Sequence, residues 1–117
     1  MANTAITPFV LLDSAGVDVK TRTAIVHANT FSVDMANIKS HKMIFHVLNT
    51  TNATKDVTFD AGFAAQSSLG ELVVTVGADT GEQIIFLNSS RFVGVDQKIT
   101  GSVTAGMTGF FACYILP

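Results

Sequence analysis

Short runs of β-branched and aromatic residues recur along the whole chain, and small or polar residues separate them. Several runs alternate apolar and polar positions with a period of two, the spacing of side chains on a strand with one buried face. In residues 56–60, Val57 and Phe59 alternate with polar residues, so we expect these two side chains to point inward. The pattern predicts strands at residues 9–12, 25–35, 43–49, 56–60, 71–76, 82–87, 91–95, 98–104 and 110–116, with a short edge segment at 17–20.

The spacing of the turns predicts the fold class. The clearest hairpin is expected at 71–87, where the turn 77–81 (GADTG) joins two strands. About eight to nine short antiparallel strands predict an all-β fold, either a single jelly-roll-like β-sandwich or a small barrel. The 117 residues fit one domain over 1–117. Residues 1–8 form an N-terminal arm that is expected to be either flexible or ordered on a neighbouring subunit.

The composition points towards a partner. Hydrophobic residues make up 48% of the chain, charged residues make up 14%, and the mean hydropathy is +0.43. This exceeds what one small core hides, so we expect apolar surface to be buried against another subunit. The net charge of −2 and the absence of a basic run argue against nucleic-acid binding. No apolar run reaches the roughly 20 residues of a membrane helix, so a membrane partner is not expected either.

The three histidines offer little chemistry at this spacing. His46 alternates with Ile44 and Leu48, which predicts a hydrogen-bonded histidine in the core or at an interface. His27 lies in a predicted strand and has the same interpretation, whereas His41 lies in a connection and is expected to be solvated. Their spacing does not match a zinc motif, so no metal site is predicted.

Other reactive residues do not form a catalytic pattern. Cys113 is the single cysteine and lies in an apolar run, which predicts a buried, inert thiol. A nucleophile elbow is absent, so no catalytic residue, cofactor or enzymatic activity is predicted. Five acidic residues are grouped in the sequence and would suit calcium or glycoside chemistry, but solvated loop charges are the favoured interpretation. They are Asp56, Asp60, Glu71, Asp79 and Glu82.

The second part of the chain carries a succession of short motifs. They are VLNTTNATKDVT at 47–58, GELVV at 70–74, SSRF at 89–92, GFF at 109–111 and a terminal LP at 116–117. Over residues 43–117 this succession resembles small virion proteins encoded in the head-gene clusters of tailed bacteriophages. Before residue 43 the likeness is limited to TPFV at 7–10. The sequence NSS at 88–90 departs from the resemblance, because the family has a Gly-Pro-x-Glu-Ser turn there.

The resemblance implies a non-enzymatic decoration or cement protein on the outside of an icosahedral capsid. Its partners would be the major capsid protein and itself, as a homotrimer. The chain lacks the basic and apolar segments of a signal peptide, so we expect synthesis in the host cytoplasm and a final location in the virion. The candidate capsid or oligomer contacts are the arm residues Ala2, Asn3, Thr4, Ala5, Ile6, Thr7 and Pro8. An alternative function is a receptor- or carbohydrate-binding β-sandwich of a phage tail or fibre.

Overall fold

The structure is a computed structural model, and it describes residues 3–10, 22–35, 42–62, 70–79, 81–88, 92, 94 and 97–115. The predicted edge segment 17–20, most of the predicted strand 91–95 and the residues Ala2 and His41 lie outside these ranges. The described strands are β1 (Asn3–Ile6), β2 (Pro8–Val10), β3 (Thr23–Ala24), β4 (Thr30–Asp34), β5 (Lys42–Asn49), β6 (Lys55–Phe59), β7 (Leu72–Val76), β8 (Gly81–Asn88), β9 (Lys98–Val103) and β10 (Gly109–Ile115).

Four antiparallel strand pairs are nested one inside the next. The innermost pair is β6 with β7, followed outward by β5 with β8, β4 with β9, and β3 with β10. The chain from β3 to β10 is therefore one long hairpin rolled over on itself. Rolling also brings β9 beside β6 and β10 beside β5, again in antiparallel pairs.

These strands form two sheets that share one core. The first sheet has the order β1-β4-β9-β6-β7, and the second has the order β2-β10-β5-β8, with β3 also paired with β10. Neither sheet closes on itself among the described strands, so the all-β, sandwich-like prediction is confirmed and the barrel alternative is wrong. The antiparallel prediction fails at the N-terminus, where β1 pairs with β4 and β2 pairs with β10 in parallel.

Phenylalanine rings form the centre of the core and join the two sheets. The ring of Phe31 on β4 lies 4.8 Å from Phe111 on β10 and 5.7 Å from Phe45 on β5, between centroids. Phe45 also packs edge to face against Phe59 on β6 at 5.0 Å. Val57 and Phe59 are fully buried, which confirms their predicted inward direction. Burial of each such side chain contributes about 1.5–3 kcal/mol to folding.

The predicted hairpin at 71–87 is wrong, because β7 pairs with β6 in the first sheet and β8 pairs with β5 in the second. The buried Asn49 side chain holds the crossing between the sheets. Its Nδ2 donates to the carbonyl oxygens of Val76 (3.3 Å) and Gly77 (3.0 Å) at the end of β7. It also donates to the carbonyl oxygen of Ala53 (3.0 Å), and its Oδ1 accepts from the N–H of Thr51 (2.9 Å).

The long strand predicted at 25–35 is also wrong, because a turn divides this segment. The N–H of Asn29 donates to the carbonyl oxygen of Val26 at 3.0 Å and closes the turn. On either side, β3 belongs to the second sheet and β4 to the first. The change of sheet lets β3 pair with β10 and β4 pair with β9.

Candidate functional site

The second sheet has one side in the core and one side turned outward. Alternation along β5, β8 and β10 sends Phe45, Leu87 and Cys113 into the core. The opposite side carries the residues that we call the outer face, in three rows across β8, β5 and β10 set by the strand register. The rows are Phe86, Ile44 and Tyr114; Ile84, His46 and Ala112; and Glu82, Leu48 and Phe110.

The outer face is mainly apolar, and its exposure is concentrated on β8. Ile84 and Phe86 are 71% and 58% exposed, the highest values among the large hydrophobic side chains described. Ile44 and Leu48 on β5 are half-buried beside them, and Ala112 on β10 is buried. Burying the exposed parts of Ile84 and Phe86 against a partner would contribute about 1–2 kcal/mol each. Exposed apolar patches of this kind mark interaction surfaces.

The outer face also carries polar groups, of which His46 lies in the middle row and Glu82 in the row of Phe110. His46 Nε2 is 3.3 Å from Glu82 Oε1, and their side chains are 24% and 56% exposed. At that exposure the contact is worth at most about 1 kcal/mol. The Arg22 guanidinium lies over the Phe110 ring, 4.5 Å from its centroid. Ile84 is therefore directly opposite His46, whereas Phe86 lies in the row farthest from Glu82 and Arg22.

The two histidines in the described part of the chain lie in different surroundings. His46 is half-buried on the outer face beside Glu82 and does not point into the core, so its predicted place at an interface stays a prediction. His27 is exposed in the turn between β3 and β4, so its predicted place in a strand is wrong. The turn forms because Asn29 bonds back to Val26 and breaks the strand at that point.

Residues 3–6 and 8 of the N-terminal arm are paired with strands of this chain, β1 in the first sheet and the start of β2 in the second. Asn3 Nδ2 donates to Ser32 Oγ (2.7 Å), and Ile6 is buried in the core. Thr4, Ala5 and the other residues of β1 pair with β4, and Pro8 begins β2 against β10. Thr7 is exposed between the two strands. The described arm thus lies at the edges away from β8, and its contact with a capsid stays a prediction.

The grouped acidic residues do not form a metal site. Asp56 accepts a hydrogen bond from Thr75 (2.8 Å) and Asp60 accepts one from Thr100 (3.1 Å), both on the first sheet. Glu82 lies on the second sheet beside His46. In the part of the chain that the structure describes, no three His, Cys, Asp or Glu side chains are close enough to hold a metal ion.

Cys113 lies in the core, as predicted from its apolar surroundings. Its Sγ is 3.9 Å from Met43 Sδ, and burial raises the pKa of the thiol to about 12. The thiolate that would react with electrophiles is therefore scarce at neutral pH. Cys113 points away from the outer face and does not contribute to it.

Ile84 and Phe86 are the residues that sequence reasoning missed. The run IIFL at 84–87 is apolar at every position, a pattern typical of a strand covered on both sides. In the structure only one side of the second sheet packs against the core, so Ile85 and Leu87 are buried while Ile84 and Phe86 point outward. The usable signal was the excess of apolar residues over what one small core holds.

The chain matches no protein-family model, no curated protein and no solved structure. The resemblance to phage head proteins therefore stays a prediction. None of the described segments forms a helix with the length and apolar character needed to cross a bilayer.

Proposed function

We propose that this chain is a non-enzymatic structural protein of a tailed-phage virion, which binds the outside of the capsid and stabilises its lattice. The partners would be the major capsid protein and other copies of the chain, with the homotrimer that the resemblance implies. No cofactor takes part. The motifs of the second part of the chain and the apolar outer face support this function.

The strand order supports a jelly roll as the detailed form of the sandwich. A jelly roll arises when a long antiparallel hairpin rolls up into two sheets, and the nested pairs from β3 to β10 have this arrangement. Jelly rolls are frequent in viral capsid proteins and in lectins. Because one fold serves many functions, the choice between these classes depends on the exposed surface.

The observation that carries the proposal is the exposure of Ile84 and Phe86 beside the half-buried Ile44 and Leu48. A free monomer gains nothing from two large apolar side chains on one strand face, whereas a capsid-bound copy buries them. A contribution of about 2–4 kcal/mol from these two side chains is modest for one copy. It becomes large when a lattice binds many copies, because each copy bridges neighbouring subunits.

The test is binding of the purified chain to undecorated capsids, measured by co-sedimentation. We expect the wild type to sediment with the capsids and to raise their thermal stability. Phe86→Lys should weaken binding at least about tenfold, because it places a charge on the buried contact. Val73→Lys is the matched control, since Val73 is 50% exposed but lies on the first sheet. Failure of the wild type to bind any head lattice would overturn the proposal.

The receptor- or carbohydrate-binding alternative has less support from the outer face. Sugar sites combine an aromatic platform with polar partners. Phe86 is the most exposed aromatic side chain described, but its neighbours on this face are Ile84 and Ile44. Binding to immobilised glycans that Phe86→Ala abolishes, in the absence of capsid binding, would favour the alternative.

A further inference from the structure

The free edge of β8 is the longest sheet edge described. Among the described strands, β8 pairs with β5 alone and ends its sheet. It has 8 residues, whereas the strands at the other sheet ends have 4 (β1), 3 (β2) and 5 (β7). An unpaired strand edge presents backbone N–H and C=O groups to which another strand can bond.

Within residues 81–88, this edge lacks the sequence and strand features that usually prevent strand addition. Monomeric proteins protect their edges with lysine, proline, bulges or short strands. Residues 82–88 (EQIIFLN) contain no lysine or proline and carry one charge, on Glu82. The ladder between β8 and β5 runs without a bulge from Gly81 to Asn88. We propose that the edge of β8 pairs with β8 of a second copy of this chain, antiparallel, around a twofold axis.

The two-residue periodicity of the strand limits the possible registers. Residues directly opposite each other in an antiparallel pair point to the same side of the sheet. The outer-face residues of β8 are the even-numbered Glu82, Ile84 and Phe86, so even-numbered residues must face even-numbered residues. A shift by one residue would place the outer face of one copy beside the core face of the other and expose buried Ile85 and Leu87.

The register centred on Ile85 suits the side chains best. It sets Ile84 of each copy opposite Phe86 of the other, an aromatic and β-branched pair that favours strand pairing. It also sets Glu82 opposite Asn88, and the two Glu82 residues lie about 20 Å apart, beyond the screening length of physiological salt. Centring on Ile84 would set Glu82 against Phe86, and centring on Phe86 would shorten the pairing.

The contact joins copies of the chain in solution and does not depend on a capsid. It would make one continuous sheet from the second sheets of two copies, with the two outer faces side by side. Because an icosahedral lattice has both twofold and threefold axes, the contact is compatible with a homotrimer formed through other surfaces. If the chain self-associates but does not bind capsids, the proposed function is wrong and the pairing of β8 with β8 still holds.

The first experiment measures self-association of the full chain by sedimentation equilibrium over a range of concentrations. We expect reversible dimerisation of the wild type, and weakening by about tenfold or more in Ile84→Lys/Phe86→Lys, which sets like charges opposite each other. Ile84→Lys/Phe86→Glu sets opposite charges in both facing positions and should restore association. Val73→Lys should leave it unchanged. A wild type that stays monomeric at millimolar concentration would overturn the proposal.

The second experiment tests the register by disulfide cross-linking and does not depend on charge. Ile84→Cys and Phe86→Cys should each fail to cross-link alone, because the two equivalent residues of a dimer are offset by two positions along the strands. An oxidised mixture of the two variants should give the covalent dimer. Buried Cys113 serves as the background control in the wild type. Cross-linking of Ile84→Cys by itself, or none in the mixture, would contradict the register.

Discussion

The side chain of Asn49 allows a sharp test of how the chain passes from the first sheet to the second. Asn49 is fully buried at the end of β5 and bonds the turn at 50–54 and the end of β7. Its two N–H hydrogens serve three carbonyl oxygens, so one of these bonds is shared. Asn49→Ala therefore removes two donor hydrogens and one acceptor, and the contact with the Val76 carbonyl oxygen is the one that lies fully buried.

At roughly 1 kcal/mol for each net hydrogen bond, with an added cost for buried partners, the loss is about 2–4 kcal/mol. The free energy of unfolding of such domains is usually roughly 5–15 kcal/mol, so the variant would lose a substantial part of its stability. The assay is urea denaturation followed by circular dichroism, with the free energy of unfolding taken from midpoint and slope. Asn52→Ala is the control, because Asn52 is exposed in the same turn and should change the free energy by less than about 0.5 kcal/mol.

Asn49→Asp separates hydrogen bonding from shape. The introduced carboxylate keeps the acceptor for the Thr51 N–H but faces three carbonyl oxygens without a proton to donate. Its pKa in the folded chain should rise above the ordinary value of about 3.9. The folded state then binds a proton more tightly than the unfolded chain, so stability should be greatest at low pH and fall as pH rises through the raised pKa. For the alanine variants, the reasoning would be refuted if Asn49→Ala lowered the free energy of unfolding by less than about 1 kcal/mol, or if Asn52→Ala lowered it by as much as Asn49→Ala.

Three further predictions concern the core. A Cβ at Gly101 would collide with the Phe31 ring and the Thr58 carbonyl oxygen, so Gly101→Ala should lower the free energy of unfolding by about 1–3 kcal/mol in urea denaturation; an unchanged midpoint would contradict this packing. Phe45→Ala should cost about 3–5 kcal/mol in the same assay, because Phe45 touches rings on both β-sheets, and a loss below about 1.5 kcal/mol would count against the shared core. Burial raises the pKa of Cys113 from 9.0 to about 12, so below pH 9 both folded and unfolded chains keep the proton. Between these two pKa values the thiol ionises in the unfolded chain and stays protonated in the folded chain, which lowers the free energy of unfolding. From pH 8 to pH 10 this free energy should fall by about 1.4 kcal/mol more in the wild type than in Cys113→Ala. The same pH dependence in both proteins would contradict the burial of the thiol.

Local alternation was enough to predict most strands of the second part of the chain. Residues 43–49 and 110–116 correspond closely to β5 and β10, and 56–60 to β6, because runs of this length that are rich in β-branched and aromatic residues and bounded by turn residues favour strands over helices. The short β1 was missed, since its polar and small residues (NTAI) carry no strand pattern of their own. Its pairing depends on β4, through bonds such as Asn3 to Ser32.

The surface that carries the proposals was harder to foresee than the core. The alternation of His46 with Ile44 and Leu48 predicted a hydrogen-bonded histidine, either in the core or at an interface. Ile84 and Phe86 were not, because an apolar run has the same composition in a central strand and in an edge strand. Only the packing of the second sheet, which buries one of its sides in the core and turns the other outward, shows that one face of this run is exposed.

Alternation of side chains along single strands therefore determined the all-β class, the inward direction of Val57 and Phe59, and the position of Cys113 in an apolar strand, because these depend on neighbouring residues alone. The tertiary structure decided that residues 71–87 cross between sheets instead of forming a hairpin. A five-residue turn permits both outcomes, and buried Asn49, together with the pairing of β6 with β7 and β5 with β8, selects one of them. The same nested pairing leaves β8 at the edge, since a rolled hairpin must end each sheet with a strand that has a single partner.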